Sequence, residues 1–313
     1  MNISVVIPNY NGQDILFKNL PKVIEEFDKY KDGKVEIIVI DDASVDNSIS
    51  VLSDFEKKYK NLKVIRNKKN FGFSSTVNNG VREAAGDILI FLNTDVYPEK
   101  GFLEPLLSNF KDEKVFAVGC MDKSIEGKDI ILRGRGLGDW ERGFLVHKKG
   151  EVDKTSTLWV SGGSGAFRKT IWDKLGGLNE LYNPFYWEDI DLSYRAQKSG
   201  YKVLFEPKSV VYHEHEKGAI KSSYSSFKIK TIAYRNQFIF VWENATDYSL
   251  QFEHLFWLPY HFVKALIRTD WAFFIGFLKA FILLPKVINS SFRYQKTFVK
   301  KDKEVIRELN KNS

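Results

Sequence analysis

Cysteine is nearly absent: the 313 residues hold one, Cys120. A disulfide framework and a Cys-rich zinc site are thereby excluded, and the apolar run around Cys120 reads as core around an inert thiol. Long apolar runs are missing too. The most hydrophobic stretch, Trp271 to Leu284, is interrupted by Lys279 and is shorter than the about 20 residues that cross a bilayer. The N-terminus enters Ile3-Ser4-Val5-Val6-Ile7 directly, without a basic n-region or cleavage site, which predicts no secretory signal and a cytosolic active domain. There is no internal repeat and no low-complexity linker. Two nucleotide-binding signatures also fail. The first turn reads Pro8-Asn9-Tyr10-Asn11-Gly12 rather than G-x-G-x-x-G, and Gly134-Arg135-Gly136-Leu137-Gly138 has the wrong spacing and place. Gly162-Gly163-Ser164-Gly165 is not a P-loop, because Lys169-Thr170 follows Arg168 and not a glycine.

What is present is a chain 43% hydrophobic and 15% aromatic, enough for one large domain with an appendage or for two domains. The net charge of +7 suits nucleic acid, an anionic membrane or a phosphorylated substrate. Apolar runs at Ile3–Ile7, Val35–Ile40, Leu62–Arg66 and Ile88–Leu92 alternate with helical patterns at Gln13–Phe27, Asp46–Lys58 and Ser74–Ala84. Alternation of this kind predicts right-handed crossovers and a mostly parallel sheet that binds its ligand beyond the carboxyl ends of its strands. Those ends carry Pro8-Asn9-Tyr10, Asp41-Asp42 and Asn93-Thr94-Asp95. A helix over Glu99–Phe110 and strands at Val115–Cys120, Ile130–Arg133 and Phe144–His147 follow, then a loop over Trp159–Arg168.

Further on, Trp187-Glu188-Asp189-Ile190-Asp191 crowds acids beside a Trp at a helix start. Acids there are stabilised by the helix dipole, and Asp191 and Arg195, four apart, suit an intrahelical pair. A projecting general base is the other reading of the same residues.

Val5-Val6-Ile7-Pro8-Asn9-Tyr10-Asn11-Gly12, then Ile38-Val39-Ile40-Asp41-Asp42-Ala43-Ser44-Val45-Asp46-Asn47-Ser48, then Asn70-Phe71-Gly72-Phe73 with Asn78-Asn79-Gly80, resemble the successive signatures of family 2 glycosyltransferases, over roughly residues 3 to 240. Each motif is weak by itself; their order and spacing together are specific. Within the family, the chain is similar to bacterial rhamnosyltransferase-like enzymes of polysaccharide and lipid-linked glycan assembly in the cell envelope. The resemblance implies the GT-A fold, a Rossmann-like α/β nucleotide-diphospho-sugar transferase, in residues 1–245, and inverting transfer of a sugar to an acceptor hydroxyl.

Carried over by position, it places Pro8 and Tyr10 around base and ribose. It gives Asp42 a hydrogen bond to the base, with Asp41 as second candidate, and lines the same pocket with Gly72 and Asn78. Asn93-Thr94-Asp95 falls at the family's D-x-D motif, so Asp95 is the expected ligand of Mg²⁺ or Mn²⁺. Asn93, in place of the first acid, is grouped with the nucleotide. His213 aligns with a third metal ligand of some relatives, and His215 follows it. Gly162 and Gly163 correspond to the loop under the donor sugar, and Trp187 to a platform for a sugar face. Glu188-Asp189 matches the E-D pair, with Asp189 as base and Glu188 orienting it or the acceptor. Arg235, of Tyr234-Arg235-Asn236, is assigned to the diphosphate. The Q-x-x-R-W run of processive members is absent, which favours single addition. The expected donor is a UDP- or dTDP-sugar ahead of a GDP-sugar.

Past Ser249 the composition turns aromatic and then basic. Eight Lys and Arg side chains from Lys286 to Lys311 face only Asp302, Glu304 and Glu308. Residues 246–313 read as a helical segment lying in a membrane interface, with a helical hairpin packed on the catalytic domain or in an oligomer contact as the other reading. The enzyme is thus expected on the inner face of the membrane, with no nucleic-acid partner, since the basic charge accompanies an apolar aromatic segment. Two rivals are a sugar nucleotidyltransferase, which lacks its basic first loop here, and a non-catalytic membrane scaffold, against which Asp95, Glu188 and Asp189 stand together.

Overall fold

The computed structural model describes residues 1–214 and 223–311. Strands β1 (Ile3–Asn9), β2 (Val35–Asp41), β3 (Leu62–Arg66) and β4 (Ile88–Leu92) alternate with helices α1 (Gln13–Phe27), α2 (Ser48–Lys58) and α3 (Phe73–Arg82). β1 pairs in parallel with β2 and β4, and β2 with β3. These strands are apolar along their length because helices cover both faces of the sheet. The order β3-β2-β1-β4 reverses direction beside β1, so the carboxyl ends of β1 and β4 border a crevice.

The second half comprises β5 (Val96–Pro98), α4 (Leu103–Ser108), β6 (Val115–Glu126), β7 (Asp129–Arg133), β8 (Gly136–Glu141), β9 (Phe144–Lys149), β10 (Ser164–Arg168), α5 (Lys169–Leu175), α6 (Glu188–Lys198) and β11 (Lys202–His213). β10 runs antiparallel between β4 and β6, β11 runs parallel to β6, and β5 closes the far edge on β11. β8 and β9 form a separate hairpin. The expectation of a loop over Trp159–Arg168 is therefore half wrong, since Ser164–Arg168 is a central strand. Its small residues carry no apolar alternation, yet a side chain at Gly165 would lie 2.3 Å from Val160 Cγ1.

Leu16, Leu20, Ile24 and Phe27 of α1 pack on one face of the sheet; Val77, Val81, Trp172 and Leu192 pack on the other. Cys120 is buried, and burial pushes its thiol up to about 12, in keeping with an inert core residue. A third cluster joins Ile190 and Tyr194 of α6 to Phe238 and Phe240 of α7 (Ser226–Asn244). It also takes in residues of α8 (Tyr248–Ile267), α9 (Trp271–Ile282), α10 (Leu284–Gln295) and α11 (Asp302–Lys311). The helices beyond residue 246 thus share a core with the acid-rich helix. α9 crosses α7 closely enough that a Cβ on Gly276 would lie 2.7 Å from Tyr234 Cβ.

The clamp at the end of the chain is polar. Asp302 and Lys198 are fully buried and pair at 2.8 Å. Asp302 also accepts from Tyr194 Oη at 2.8 Å and from the backbone N–H groups of Thr246 and Asp247 at 2.7 and 2.9 Å. Asp302→Ala strands the Lys198 ammonium without its counter-charge. A loss of about 3–5 kcal/mol is expected, read as a lower denaturant midpoint at unchanged slope.

Candidate active site

The register that pairs Asn9 with Asp41 brings the ends of β1 and β2 together. Asp41 is spent on the turn: it accepts from Asn9 Nδ2 at 2.8 Å and from Ser44 N–H at 3.1 Å. Asp42, also buried, accepts from Phe71 and Gly72 N–H, each at 3.0 Å, and from Asn67 Nδ2 at 2.8 Å. It therefore draws the 67–72 loop toward the crevice. Gly72 has φ +87°, and a Cβ there would lie 2.9 Å from Asn183 Oδ1 and from Pro184 Cα. The close approach it permits in this structure is to the Asn183–Pro184 segment. Pro8 and Tyr10 are half-buried on the same rim.

The Asn93–Asp95 turn meets this rim from the other strand. A Cβ on Gly12 would touch Asn9 Oδ1 at 2.4 Å and Thr94 Oγ1 at 3.5 Å. Gly163 accepts from Asn93 N–H at 2.9 Å, and its missing side chain is what makes room for the Asn93 amide. β11 pairs His213 with Val96, which sets the imidazole between two acids. Nε2 is 3.4 Å from Asp95 Oδ2, and Nδ1 is 2.8 Å from Asp122 Oδ2. Burial pulls the imidazole pKa down, but the hydrogen bonds and charges of Asp122 and Asp95 outweigh it, for a value of about 9. His215 lies outside the described residues. Among the described residues no group of three His, Cys, Asp or Glu side chains forms a ready-made metal cage.

Asp189 sits on the opposite wall. It is half-buried at the first turn of α6 and accepts from Ile190 N–H at 2.8 Å and from the Gly162 backbone. A Cβ at Gly162 would lie 2.9 Å from the Phe73 ring and 3.9 Å from Asp189 Cβ, so the glycine pair bridges Asn93 and Asp189. Burial lifts the Asp189 carboxyl to about 6. Glu188 is buried, with Oε2 lacking a hydrogen-bond partner among the described residues, and burial followed by the Asp189 charge pushes its pKa well above the usual range. Asp191 and Arg195 form the expected intrahelical pair, 2.8 Å apart and 0% and 1% exposed.

Three expected site residues stand elsewhere. Trp187 is only 7% exposed and packs on the rings of His147 and Phe240. Left-handed backbone at Tyr186 and Trp187 turns the outward position over to Tyr186, 41% exposed. Asn78 is one turn too far along α3: it donates to Leu178 O at 2.8 Å and accepts from Leu178 N–H at 3.1 Å. Arg235 donates to the carbonyls of Tyr182 (3.1 Å) and Asn183 (2.5 Å). Its neighbour Asn236, fully buried, donates through Nδ2 to the carbonyls of Tyr182, Phe185 and Tyr186 at 3.0, 2.9 and 2.8 Å. The pair thus holds the strap that delivers Glu188 and Asp189.

Three neighbours had no sequence signal. Asp122 orients His213 from the middle of a long strand. Asn183 reads only as a turn residue, yet it accepts from Ser74 N–H at 3.0 Å and donates to Ser75 Oγ at 2.7 Å. Tyr224 sets its ring 5.0 Å from Phe185, and burial together with nearby Tyr10 and Asp42 raises its hydroxyl pKa. Asn236→Ala orphans carbonyls of the strap. The expected outcome is a loss of about 1–3 kcal/mol, with faster amide exchange confined first to residues 182–191.

Residues 4–176 match the family described as Glycosyl transferase family 2. Among curated proteins, the O-antigen chain rhamnosyltransferase RfbN of Salmonella typhimurium is 26% identical over 69% of this chain and 67% of its own length. The probable glycosyltransferase YdaM of Bacillus subtilis is 28% identical over 68% of this chain, and the chain spans only 50% of it. Among solved structures, GalNAc-T7 with UDP, GalNAc and Mn²⁺ superposes with a TM-score of 0.66 at 22% identity, over 80% of this chain and 49% of that one. The mannosyltransferase PcManGT of Pyrobaculum calidifontis, with GDP-Man and Mn²⁺, gives 0.56 at 17% identity over 98% and 84%. S. aureus TarS 1-349 with UDP gives 0.57 at 14% over 99% and 90%. The match spans more than half of the chain, the sheet is that of the GT-A structures, and the chain belongs to glycosyl transferase family 2.

Proposed function

We propose that the chain transfers one sugar, with inversion, from a nucleotide-diphospho-sugar to a hydroxyl of a glycan or lipid-linked acceptor, with Asp189 as general base. The observation that carries this reading is the placement of Asp189, a half-buried carboxyl with a pKa of about 6, on the same glycine pair that touches the Asn93–Asp95 turn. A base of that pKa is largely ionised at neutral pH and still basic enough to take a proton from an attacking hydroxyl. Glu188, whose carboxyl burial pushes well above the usual range, orients Asp189 or the acceptor in this reading. Residues 1–245 form the catalytic domain in this reading, and 246–313 hold it at the inner face of the cell membrane.

The residues present fit a divalent cation. Asp95 would supply a carboxylate and His213 would supply Nε2 on giving up the proton it holds toward Asp95, with Nδ1 tied to Asp122 in the manner of an oriented metal ligand. Such a pair leaves the remaining positions to phosphate oxygens and water, as Mg²⁺ or Mn²⁺ requires. When bound, the cation would neutralise the charge that develops on the departing nucleoside diphosphate. Two of the solved neighbours above hold Mn²⁺, two hold UDP and one holds GDP-Man, in line with a nucleotide-sugar donor, here a UDP- or dTDP-sugar ahead of a GDP-sugar. Tyr10 and Asp42 remain at the base-binding rim, and Asp42 acts there in part by fixing the Gly72 backbone.

Release of nucleoside diphosphate from UDP-, dTDP- and GDP-sugars, with Mn²⁺, Mg²⁺ or EDTA, tests the reading. One donor is expected to turn over, and EDTA is expected to stop it. Asp189→Asn should lower kcat about 10²–10⁴-fold with donor affinity kept. Full activity of that variant would remove Asp189 as the base. The pH profile follows from the same carboxyl. Below its pKa the base is protonated, so kcat/KM should fall tenfold per pH unit beneath a limb near 6 and level off above it.

A further inference from the structure

We infer that the outer face of α8 and α9 is a seat for an anionic bilayer surface. The inference rests on the membrane location proposed above and goes beyond it, by naming the face and the lipid chemistry. Both helices are apolar on two sides. Their inner residues, among them Ala265, Phe273 and Ala280, lie in the third core cluster. Their outer residues include Phe252, Phe256, Ile267, Trp271, Leu278 and Phe281, each between 54% and 78% exposed. An apolar face of this extent, continuous along a 20-residue helix about 30 Å long, needs a second cover.

The charges select the cover. Between Glu253 and Asp302 the chain has one acid, Asp270, and eight Lys or Arg. Asp270 is already paired with Lys230 at 2.8 Å and accepts from Tyr234 Oη at 2.8 Å. Arg268 lies between the two helices, Lys279 is on α9 and Lys286 on α10, all exposed. A second copy of the chain would set these cations against their twins, whereas phosphatidylglycerol-type head groups neutralise them. The face lies on a bilayer and does not cross one. Among the described residues no single helix is long and apolar enough to span; α9 and α10 are so only as a pair, and that pair is bent by 66°. Aromatic rings with flanking Lys and Arg are what the interface accommodates.

The β8–β9 hairpin ties this face to the site. At its tip the Arg142 guanidinium donates to Tyr260 Oη at 2.7 Å and stacks on that ring. Near its base the His147 ring meets Trp187, the residue before Glu188. Four residues separate Arg142 from His147, a rise of about 17 Å over five steps of extended chain. The catalytic turn therefore stands off the lipid by that order of length, and the acceptor group that reaches it projects beyond the head groups.

Flotation of the full chain with vesicles tests this. Vesicles of phosphatidylcholine containing phosphatidylglycerol are expected to carry the protein at least tenfold better than phosphatidylcholine alone. Replacing Arg268, Lys279 and Lys286 by Gln should reduce that binding on the order of a hundredfold. Phe252→Ser with Phe256→Ser and Trp271→Ser should abolish it, while donor hydrolysis without vesicles is unchanged, which shows an intact fold. Vesicle binding that survives both variants would overturn the face but leave the membrane location standing. No vesicle binding by the wild type would overturn both. A dimer that the aromatic variant splits, with no lipid binding, would assign the face to a second copy. Loss of all donor turnover with vesicle binding retained would sink the transfer reading and leave this inference intact.

Discussion

The Asp191–Arg195 ion pair is the interaction on which the second half of the molecule depends. Both side chains are out of water, so the pair survives only because its remaining valences are met. Arg195 donates to the carbonyls of Leu175 and Gly177 at 2.7 and 2.8 Å and lies over the Tyr294 ring at 4.1 Å. Asp191 accepts from Asn244 Nδ2 at 2.8 Å and from Tyr182 Oη at 3.3 Å. One pair thereby joins α5, α6, α7, α10 and the turn before Glu188 and Asp189. A fully connected network of this kind can tolerate low dielectric, whereas a partly connected one could not. α6 is fixed in rotation, and the direction in which Glu188 and Asp189 leave it follows.

The strap from Tyr182 to Trp187 shows the same economy at backbone level. It makes no regular ladder, so its carbonyls need partners from outside. Asn236 and Arg235 supply them from α7, and Asn183 reaches across to the start of α3. The segment connects the Asp42–Gly72 rim to the E-D turn through side-chain amides and backbone rather than through charges. A change in the 67–72 loop would be transmitted to Asp189 along these contacts.

The strands and helices of the first half were legible because a doubly covered parallel sheet writes long apolar runs. Gln13–Phe27, Leu62–Arg66 and Ile88–Leu92 begin and end where the periodicity places them. β10 was not legible, since its small residues are chosen by the backbone and side chains that press on them, and such neighbours come from distant sequence. Family motifs pointed to the rim, the Asn93–Asp95 turn, the glycine pair and the acids, which lie close together in the structure. They are less legible where a polar residue type suits two jobs. An Arg that satisfies two carbonyls and one that grips a diphosphate are the same letter, and only the surroundings of Arg235 separate them. Trp187 fails for a related reason: an aromatic beside acids is as good a core residue as a platform, and the left-handed backbone that decides the matter is not written in its identity.

Three carboxylates within one turn of α6 would repel one another if all were ionised in so little water. The structure separates them by environment. Asp191 has a buried guanidinium, Asp189 keeps partial exposure with backbone N–H donors, and Glu188 is buried with Oε2 unpartnered among the described residues. Burial and then the Asp189 charge push the Glu188 carboxyl well above the usual range, while burial, opposed by backbone N–H donors, lifts Asp189 to about 6. The division extends inward to Glu243, whose carboxyl is lifted to about 8 by burial and by Asp191. Of these acids Asp189 alone keeps partial exposure. That is the arrangement a single base requires, and it arises from unequal burial along one helix rather than from any special residue.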